Sequence, residues 1–183
     1  QVTGHVIPDF RFAVANGVDA VIARLDERIA AETDPEKREN LKAMAIALDG
    51  VKVLAARYAD LAGERQTTAD ESRRAELRLM EQTLRKVPAK GADTLYEAIQ
   101  SFLLLWQVMC LEQTPNPFAL SVGNADRIFE PYRGKEGMDR ATASALFKHF
   151  LVFFNVGDRS WAISQNVLLG GKDREGRDLT NEM

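Results

Sequence analysis

The most constraining feature of this chain is a segment that is apolar on every side of a helix. Residues 95–111 are apolar nearly all round, and the stretch FLLLWQVMCL at residues 102–111 is interrupted only by Gln107. Such a helix has to be covered on all sides, so it predicts the centre of a packed core. Thr94 and Glu97 match a capping box at its start. The run is too short to span a bilayer, and we expect no membrane association.

Amphipathic helices are predicted around this central segment. Asp34 and Pro35 predict the start of a long helix, whose two apolar stripes indicate two packing partners. The first stripe is Leu41, Met44, Leu48, Val51, Ala55 and Tyr58, and the second is Ala47, Leu54 and Leu61. Asp139 predicts the start of a later helix that is rich in phenylalanine. The apolar positions at helical spacing are Val14, Val18, Val21, Ile22, Leu25 and Ile29 in a single first helix, and Leu77, Met80, Leu84 and Val87 in a third.

Two short strands are predicted late in the chain, at residues 118–122 and 163–171. The helix after Asp139 separates them, and this β-α-β order predicts parallel pairing in a sheet that helices cover. Two short strands are rarely stable as a sheet by themselves. The chain is therefore predicted to be mostly α with two short β-strands, as one part of a larger sheet or barrel. Residues 179–183 are predicted to begin a further helix.

Composition narrows the classes of function. The 183 residues are 45% hydrophobic, which is enough for one packed domain. The net charge of -3, with basic and acidic residues interleaved, argues against a nucleic-acid partner. Cys110 is the single cysteine, which excludes an internal disulfide framework and a multi-thiolate metal site and indicates a cytoplasmic location. No P-loop, dinucleotide-binding or H-E-x-x-H motif is present.

An irregular stretch, EQTPNPFALSVGNADRIFEPY at residues 112–132, follows the central helix. Pro115 and Pro117 predict a rigid turn, and Gly123 permits a bend or a close approach of another group. The polar side chains of the stretch are Asn116, Ser121, Asn124 and Asp126. These groups either bond to neighbouring backbone or line a polar cavity, because buried polar groups need partners.

Two other places pose the same choice. His5 lies in an irregular segment before the first helix, where it either caps that helix together with Asp9 or is displayed for function. Gln165 and Asn166 are adjacent on the second predicted strand, so their side chains are expected to point to opposite faces. One of the two is expected to face the interior of the sheet and the other the covering helices.

Five stretches carry a recognisable pattern, in order along the chain. They are GHVIPDF (4–10), DPEKRENLKAMAIALDGVKVLAARYADLA (34–62), RKVPAKGADTLYEAIQSFLLLW (85–106), GNADRIFEPY (123–132) and QNVLLGGKDREGRDLTNEM (165–183). In the same order they resemble motifs of the glycyl radical enzymes, the pyruvate formate-lyase-like superfamily. Those motifs are G-H-x-x-P-D-Y, D-P-E-K-R-x-F-L-x-A-M, R-x-V-P-A-x-P-x-x-T-F-x-E-A-x-Q-S-F, G-R-x-D-x-Y-L-Y-P-Y and Q-N-x-x-x-G-G-x-D-x-x-G-x-D-x-T-N-E-L.

The resemblance implies a fold and a chemistry. The fold is a segment of a ten-stranded α/β barrel, a single domain fragment at 1–183 with a helical jacket at 1–112 and the first barrel strands with an intervening helix at 113–183. The chemistry is that of an anaerobic lyase, dehydratase or formate acetyltransferase-like transferase. A separate radical S-adenosylmethionine activating enzyme installs a glycyl radical, and the resulting cysteine thiyl radical abstracts hydrogen from a small organic substrate. The family's dimers make a homodimer one expected state of the full-length protein.

The chain also departs from the family pattern. It contains no G-C-x-E cysteine loop and no R-V-S-G-Y-like glycyl loop, so we expect it to bind no cofactor, hold no catalytic residue and be inactive by itself. Phe118 and Ala119 stand where many diol-acting members have the His-Ser of N-G-H-S, which favours a more apolar or aromatic substrate over a polyol. A non-catalytic helical scaffold derived from the family is the alternative function.

Seven residues are predicted to line or support the substrate cavity. They are His5, Asn116, Phe118, Ser121, Asp126, Trp161 and Gln165. Each has a structural alternative: Asp126 pairs with Arg127 or Arg159, for example, and Trp161 packs in the core.

Overall fold

The structure is a computed structural model that describes residues 6–112, 120–156 and 166–183. These residues form seven α-helices and two strands of two residues each, which confirms the prediction of a mostly α chain with two short strands. The helices are α1 (Phe10–Asn16), α2 (Val18–Ala31), α3 (Pro35–Arg65), α4 (Glu71–Lys86), α5 (Leu95–Glu112), α6 (Ala125–Glu136) and α7 (Arg140–Val156), and the strands are β1 (Gly123–Asn124) and β2 (Val167–Leu168).

The chain divides into two compact units. We call residues 12–92 the helical unit, and residues 1–11 together with 93–183 the strand-bearing unit. The predicted division into a jacket at 1–112 and barrel strands at 113–183 concerns the complete barrel and stays a prediction.

In the helical unit, α3 packs against both α2 and α4, as its two apolar stripes predicted. The buried side chains of α3 are Val51, Ala55, Ala59 and Ala62. Three of the four are alanines, and small side chains allow neighbouring helices to approach closely. Part of each stripe is not covered by the described residues, because Met44 and Tyr58 of the first stripe and Leu61 of the second are exposed.

The start of α3 confirms the prediction made from Asp34 and Pro35. The Asp34 carboxylate accepts hydrogen bonds from the backbone N–H groups of Glu36 at 2.9 Å and Lys37 at 3.3 Å. Proline at the first helical position costs nothing, because its missing N–H has no intrahelical partner there.

The single first helix predicted from Val14 to Ile29 is wrong, because Gly17 divides it into α1 and α2. Gly17 has φ +83°, which a continuous helix does not allow. The N-terminus of α2 instead bonds to the loop after α4: the N–H of Val18 donates to the carbonyl of Pro88 at 2.8 Å. Helical periodicity misses the break, because Val14 and Val18 are both buried on the same face.

Acid is expected to remove a stabilising contact at the start of α2. The Asp19 carboxylate lies 2.7 Å from the ammonium of Lys90 and 2.9 Å from that of Lys52, and hydrogen bonds from these lysines lower the pKa of Asp19. A carboxyl whose folded-state pKa is lowered stabilises the fold fully above its unfolded-state pKa of about 4, and this stabilisation is lost as pH falls through the lower folded-state value.

Asp19→Asn is therefore expected to lower the urea midpoint at pH 7, while the gap from the unmodified protein closes below about pH 4. Urea titrations at a series of pH values from 7 down to 2.5 measure the two midpoints. A gap that stays constant through this range contradicts the assignment.

In the strand-bearing unit, α5 is buried on all sides over most of its length, as predicted. Leu95, Phe102 and Trp106 have no exposed surface, whereas Leu111 at its C-terminal end is exposed. The predicted capping box is present: the Glu97 N–H donates to Oγ1 of Thr94 at 3.1 Å. Within the described residues, no helix is both long and apolar enough to cross a membrane.

The strands pair in parallel, as predicted, but their positions and connection differ from the prediction. β1 follows the predicted strand at 118–122, β2 occupies only part of 163–171, and two helices rather than one separate them. The missed helix is α6, which contains Pro131. Proline usually ends a helix because it lacks the N–H that bonds to the preceding turn. The sequence therefore did not predict a helix across Pro131.

The helix predicted at residues 179–183 is also wrong, since this segment is irregular. The Asp178 carboxylate accepts hydrogen bonds from both the N–H and the hydroxyl of Thr180, at 2.9 and 2.7 Å. The side chain of Asn181 likewise accepts from the N–H of Met183 at 3.1 Å. Such local side-chain bonds compete with a helical conformation.

Candidate functional site

The described residues include two of the seven predicted site residues, Ser121 and Asp126. Both are buried in the strand-bearing unit, with 4% and 2% of their surface exposed. The other five, His5, Asn116, Phe118, Trp161 and Gln165, lie outside the described residues. The structure brings Ser121 and Asp126 to the two ends of the pairing between β1 and β2, and a cavity-lining role for all seven residues stays a prediction.

Asp126 lies in the first turn of α6 and holds the chain that follows β2. Its Oδ2 atom accepts hydrogen bonds from the N–H of Gly170 at 2.8 Å and from Nδ2 of Asn181 at 3.2 Å. Its Oδ1 atom accepts from the backbone N–H of Arg127 at 2.9 Å. These bonds satisfy both oxygens of a buried carboxylate, whose burial without partners would be costly.

Arg127 contacts the same glycine at its carbonyl group. Its Nη2 atom donates to the carbonyl of Gly170 at 2.8 Å. The Nε atom of Arg127 is buried and has no acceptor among the described residues. Asp126 and Arg127 together therefore hydrogen-bond to both the N–H and the C=O of Gly170, which has φ +62°.

Ser121 performs a similar role before β1. Its hydroxyl accepts a hydrogen bond from the N–H of Asn166 at 3.3 Å, and its own N–H donates to the carbonyl of Val6 at 3.1 Å. The adjacent Leu120 forms an isolated parallel bridge with Val6, and its carbonyl accepts from the buried Trp106 Nε1 at 2.8 Å. The segment that leads into β1 is therefore anchored to α5 and to residues near the start of the described chain.

A cavity of about 390 Å³ lies against β1, the start of α6 and the last residue of β2. Its lining residues are Ile7, Pro8, Asp9, Arg11, Val122, Gly123, Asn124, Arg127, Ile128 and Leu168. The two guanidinium groups and one carboxylate among them make the cavity suited to a small polar group.

The single cysteine does not provide a reactive thiol in this arrangement. Cys110 is half-buried on α5, and burial raises the pKa of its thiol to about 11. The thiol therefore stays protonated at neutral pH, and the thiolate is the nucleophilic form. No group of three or more His, Cys, Asp and Glu side chains is placed to hold a metal ion in the part of the chain that the structure describes.

Sequence reasoning named Arg127 as one alternative partner of Asp126, and the structure shows this contact through the backbone N–H of Arg127. It missed Gly170 and Asn181. The paired glycines at 170 and 171 were a usable signal, since they follow a strand and allow close approach of another group. The contact to Asn181 had no local signal, because 55 residues separate the two side chains.

In the described residues, the fold and this site define a mostly helical protein whose two short parallel strands are linked by side chains from the helix that follows the first strand. The chain belongs to the pyruvate formate lyase-like family, whose model matches residues 1–183. This match confirms the resemblance to glycyl radical enzymes that the five motifs indicated.

Characterised relatives of the chain are glycyl radical lyases and dehydratases. It is 28% identical to the isethionate sulfite-lyase of Bilophila wadsworthia (strain 3_1_6) over 97% of its own length and 24% of that protein's. It is 29% identical to the trans-4-hydroxy-L-proline dehydratase of Clostridioides difficile, over 80% of its own length and 21% of the relative's. The chain thus spans about a quarter of the length of the curated relatives that it matches.

Solved structures share the fold. The hydroxyproline dehydratase from Clostridioides difficile, with trans-4-hydroxy-L-proline bound, superposes with a TM-score of 0.87 at 26% identity, over 100% of this chain and 26% of that one. The glycerol-bound form of the B12-independent glycerol dehydratase from Clostridium butyricum has a TM-score of 0.88 at 24% identity, over 97% of this chain and 25% of that one. At 24% identity, the similarity to the glycerol dehydratase supports the fold alone.

Proposed function

We propose that residues 1–183 form the N-terminal to middle segment of a glycyl radical lyase or dehydratase that acts on a small organic substrate. The observation that carries this proposal is the family match across all 183 residues. The relatives named as lyases and dehydratases support the reaction class. In the complete protein, the segment contributes helices of the jacket and the first strands of a ten-stranded barrel.

The residues of this chain hold and orient substrate rather than carry the radical. When present, a glycyl radical and its cysteine partner supply hydrogen-atom abstraction from the substrate. The only cysteine, Cys110, lies within α5 and not in a G-C-x-E loop, so it does not fit the role of that partner. We therefore derive no radical step from residues of this chain, and we expect 1–183 by itself to be inactive.

An assay of the activated protein tests the proposal. Two proteins are compared: the product of the complete reading frame that contains residues 1–183, and residues 1–183 alone. Each is incubated anaerobically with the cognate radical S-adenosylmethionine activating enzyme and a reductant. Electron paramagnetic resonance is expected to show a glycyl radical only in the longer protein, and mass spectrometry is expected to detect product only there. An identical reaction without the activating enzyme is the control.

Two findings contradict the proposal, one from this assay and one from the gene sequence. Product formed by residues 1–183 alone overturns the assignment of an inactive segment. A reading frame that ends soon after Met183, without cysteine and glycyl loops, overturns the lyase and supports the non-catalytic scaffold.

The substrate is proposed to be less polar than a polyol. Phe118 and Ala119 stand where many diol-acting members of the family have a His-Ser pair, and apolar side chains cannot hydrogen-bond substrate hydroxyl groups. In the activated complete protein, turnover of glycerol is therefore expected to be at least tenfold below that of an apolar or aromatic substrate in a panel that also includes isethionate and trans-4-hydroxy-L-proline. Efficient turnover of glycerol contradicts this part of the proposal.

The activating enzyme is the proposed protein partner, and a cytoplasmic homodimer is the proposed state of the complete protein. Light scattering after size-exclusion chromatography of the complete protein tests the dimer, and a monomeric mass contradicts it.

A further inference from the structure

We infer that Ser121, Asp126 and Arg127 lock the register between β1 and β2. Each strand has only two residues, so the ladder itself has few hydrogen bonds. The three side chains continue the pairing on both sides of the ladder, Ser121 before it and Asp126 and Arg127 after it. They are positioning residues in this inference, because their side chains hydrogen-bond to backbone groups on both sides of the strand pair.

The side-chain bonds follow the same register as the ladder. Gly123 pairs with Val167 and Asn124 with Leu168, each across 44 residues of chain. The bond from Gly170 to Asp126 also spans 44 residues, the bond between Asn166 and Ser121 spans 45, and that between Arg127 and Gly170 spans 43. One alignment of the two segments therefore satisfies the backbone pairing and the hydrogen bonds of all three side chains.

A slip of one residue would break this agreement. It would move every side chain of β2 to the opposite face and carry the N–H of Gly170 away from the buried Asp126 carboxylate. A buried acceptor left without its donor is costly, so the bonds to Asp126 select one register. Backbone pairing alone discriminates weakly between registers in strands this short.

The locked register bears on the candidate site. Asn124 of β1 and Leu168 of β2 are opposite each other in this register, and both line the cavity of about 390 Å³. The register therefore determines which side chain of β2 lines that cavity. The register itself rests on geometry alone, and a role of the cavity in substrate binding rests on the proposed function.

Cysteine cross-linking in the 183-residue chain tests the inference. In a Cys110→Ser background, one variant carries Asn124→Cys with Leu168→Cys, which are opposite each other in the observed register, and another carries Asn124→Cys with Leu169→Cys, which meet only after a slip. Neighbouring strands bring paired Cα atoms within disulfide range. Mass spectrometry after mild oxidation is expected to show at least tenfold more disulfide for the first pair.

Adding Asp126→Ala is expected to lower that ratio about tenfold. Asp139→Ala is the matched control, because Asp139 is also a carboxylate at a helix start of the same unit, but it accepts hydrogen bonds from the N–H and hydroxyl of Thr142. Arg127→Met is expected to lower the ratio and Arg127→Lys to restore it, since lysine can still donate to the carbonyl of Gly170.

An unchanged ratio in Asp126→Ala overturns the inference, and so does an equal fall in Asp139→Ala. If circular dichroism shows that Asp126→Ala does not fold, Ser121→Ala and Arg127→Met take its place, and an unchanged ratio in both overturns the inference. The readout needs no turnover, so this result is independent of whether the proposed function holds.

Discussion

Phe102→Ala is expected to lower the free energy of unfolding by about 3–5 kcal/mol. Phe102 has no exposed surface and lies at the centre of an aromatic cluster on α5. Its ring centroid lies 4.5 Å from that of Phe10, 5.5 Å from Phe150, 5.9 Å from Phe154 and 6.0 Å from Phe129. Truncation leaves a cavity among four rings from three segments of the strand-bearing unit, and it removes the favourable ring contacts that Phe102 makes with them.

Urea unfolding followed by circular dichroism measures this loss. Phe153→Ala is the matched control, since it removes the same atoms from a side chain that is 38% exposed on α7, and it is expected to cost less than about 2 kcal/mol. Equal losses for the two variants would show that Phe102 is not at the centre of the core.

Gly17→Ala is expected to lower the free energy of unfolding by about 3 kcal/mol or more. Gly17 has φ +83°, and a Cβ atom there would lie 2.3 Å from the carbonyl oxygen of Ala89 and 2.6 Å from Cα of Lys90. These are backbone atoms, so no side-chain rotation relieves the clash. The loop at 88–90 would have to move away, and the bonds it accepts from the N–H groups of Val18 and Asp19 would be lost.

Gly50→Ala is the control and is expected to have the opposite sign. Gly50 lies within α3, and a Cβ atom there meets nothing within 4 Å. Alanine in a helix interior is favoured over glycine by roughly 0.5–1 kcal/mol, because glycine loses more conformational freedom on folding. Thermal and urea unfolding of both variants give the comparison, and a stabilised Gly17→Ala variant would contradict the close packing at the helix break.

Much of the fold follows from local patterns in the chain. Asp34 followed by Pro35, and Thr94 with Glu97, predicted helix starts that the structure confirms, because capping depends on residues a few positions apart. Residues 95–111 predicted a central helix, since an all-round apolar surface can only be buried. Where such local signals were absent or misleading, as at Gly17 and Pro131, the helix boundaries were wrong.

The site was predicted less completely. The polar run after the central helix identified Ser121 and Asp126 as unusual, but their partners Asn166 and Gly170 lie about 45 residues away. Nothing within a short window of sequence specifies which distant N–H group meets a given carboxylate. The five other predicted site residues lie outside the described residues, so their role stays open to the experiments proposed above.

The amino-acid sequence by itself determined the family, the mostly helical class, the buried central helix and the parallel pairing, since each depends on composition, periodicity or motif order. Only the tertiary structure decided the register between β1 and β2, the break at Gly17 and the distant partners of Asp126. The physical reason is that these features depend on contacts between segments far apart in the chain, such as the approach of residues 88–90 to Gly17 and of Gly170 to Asp126.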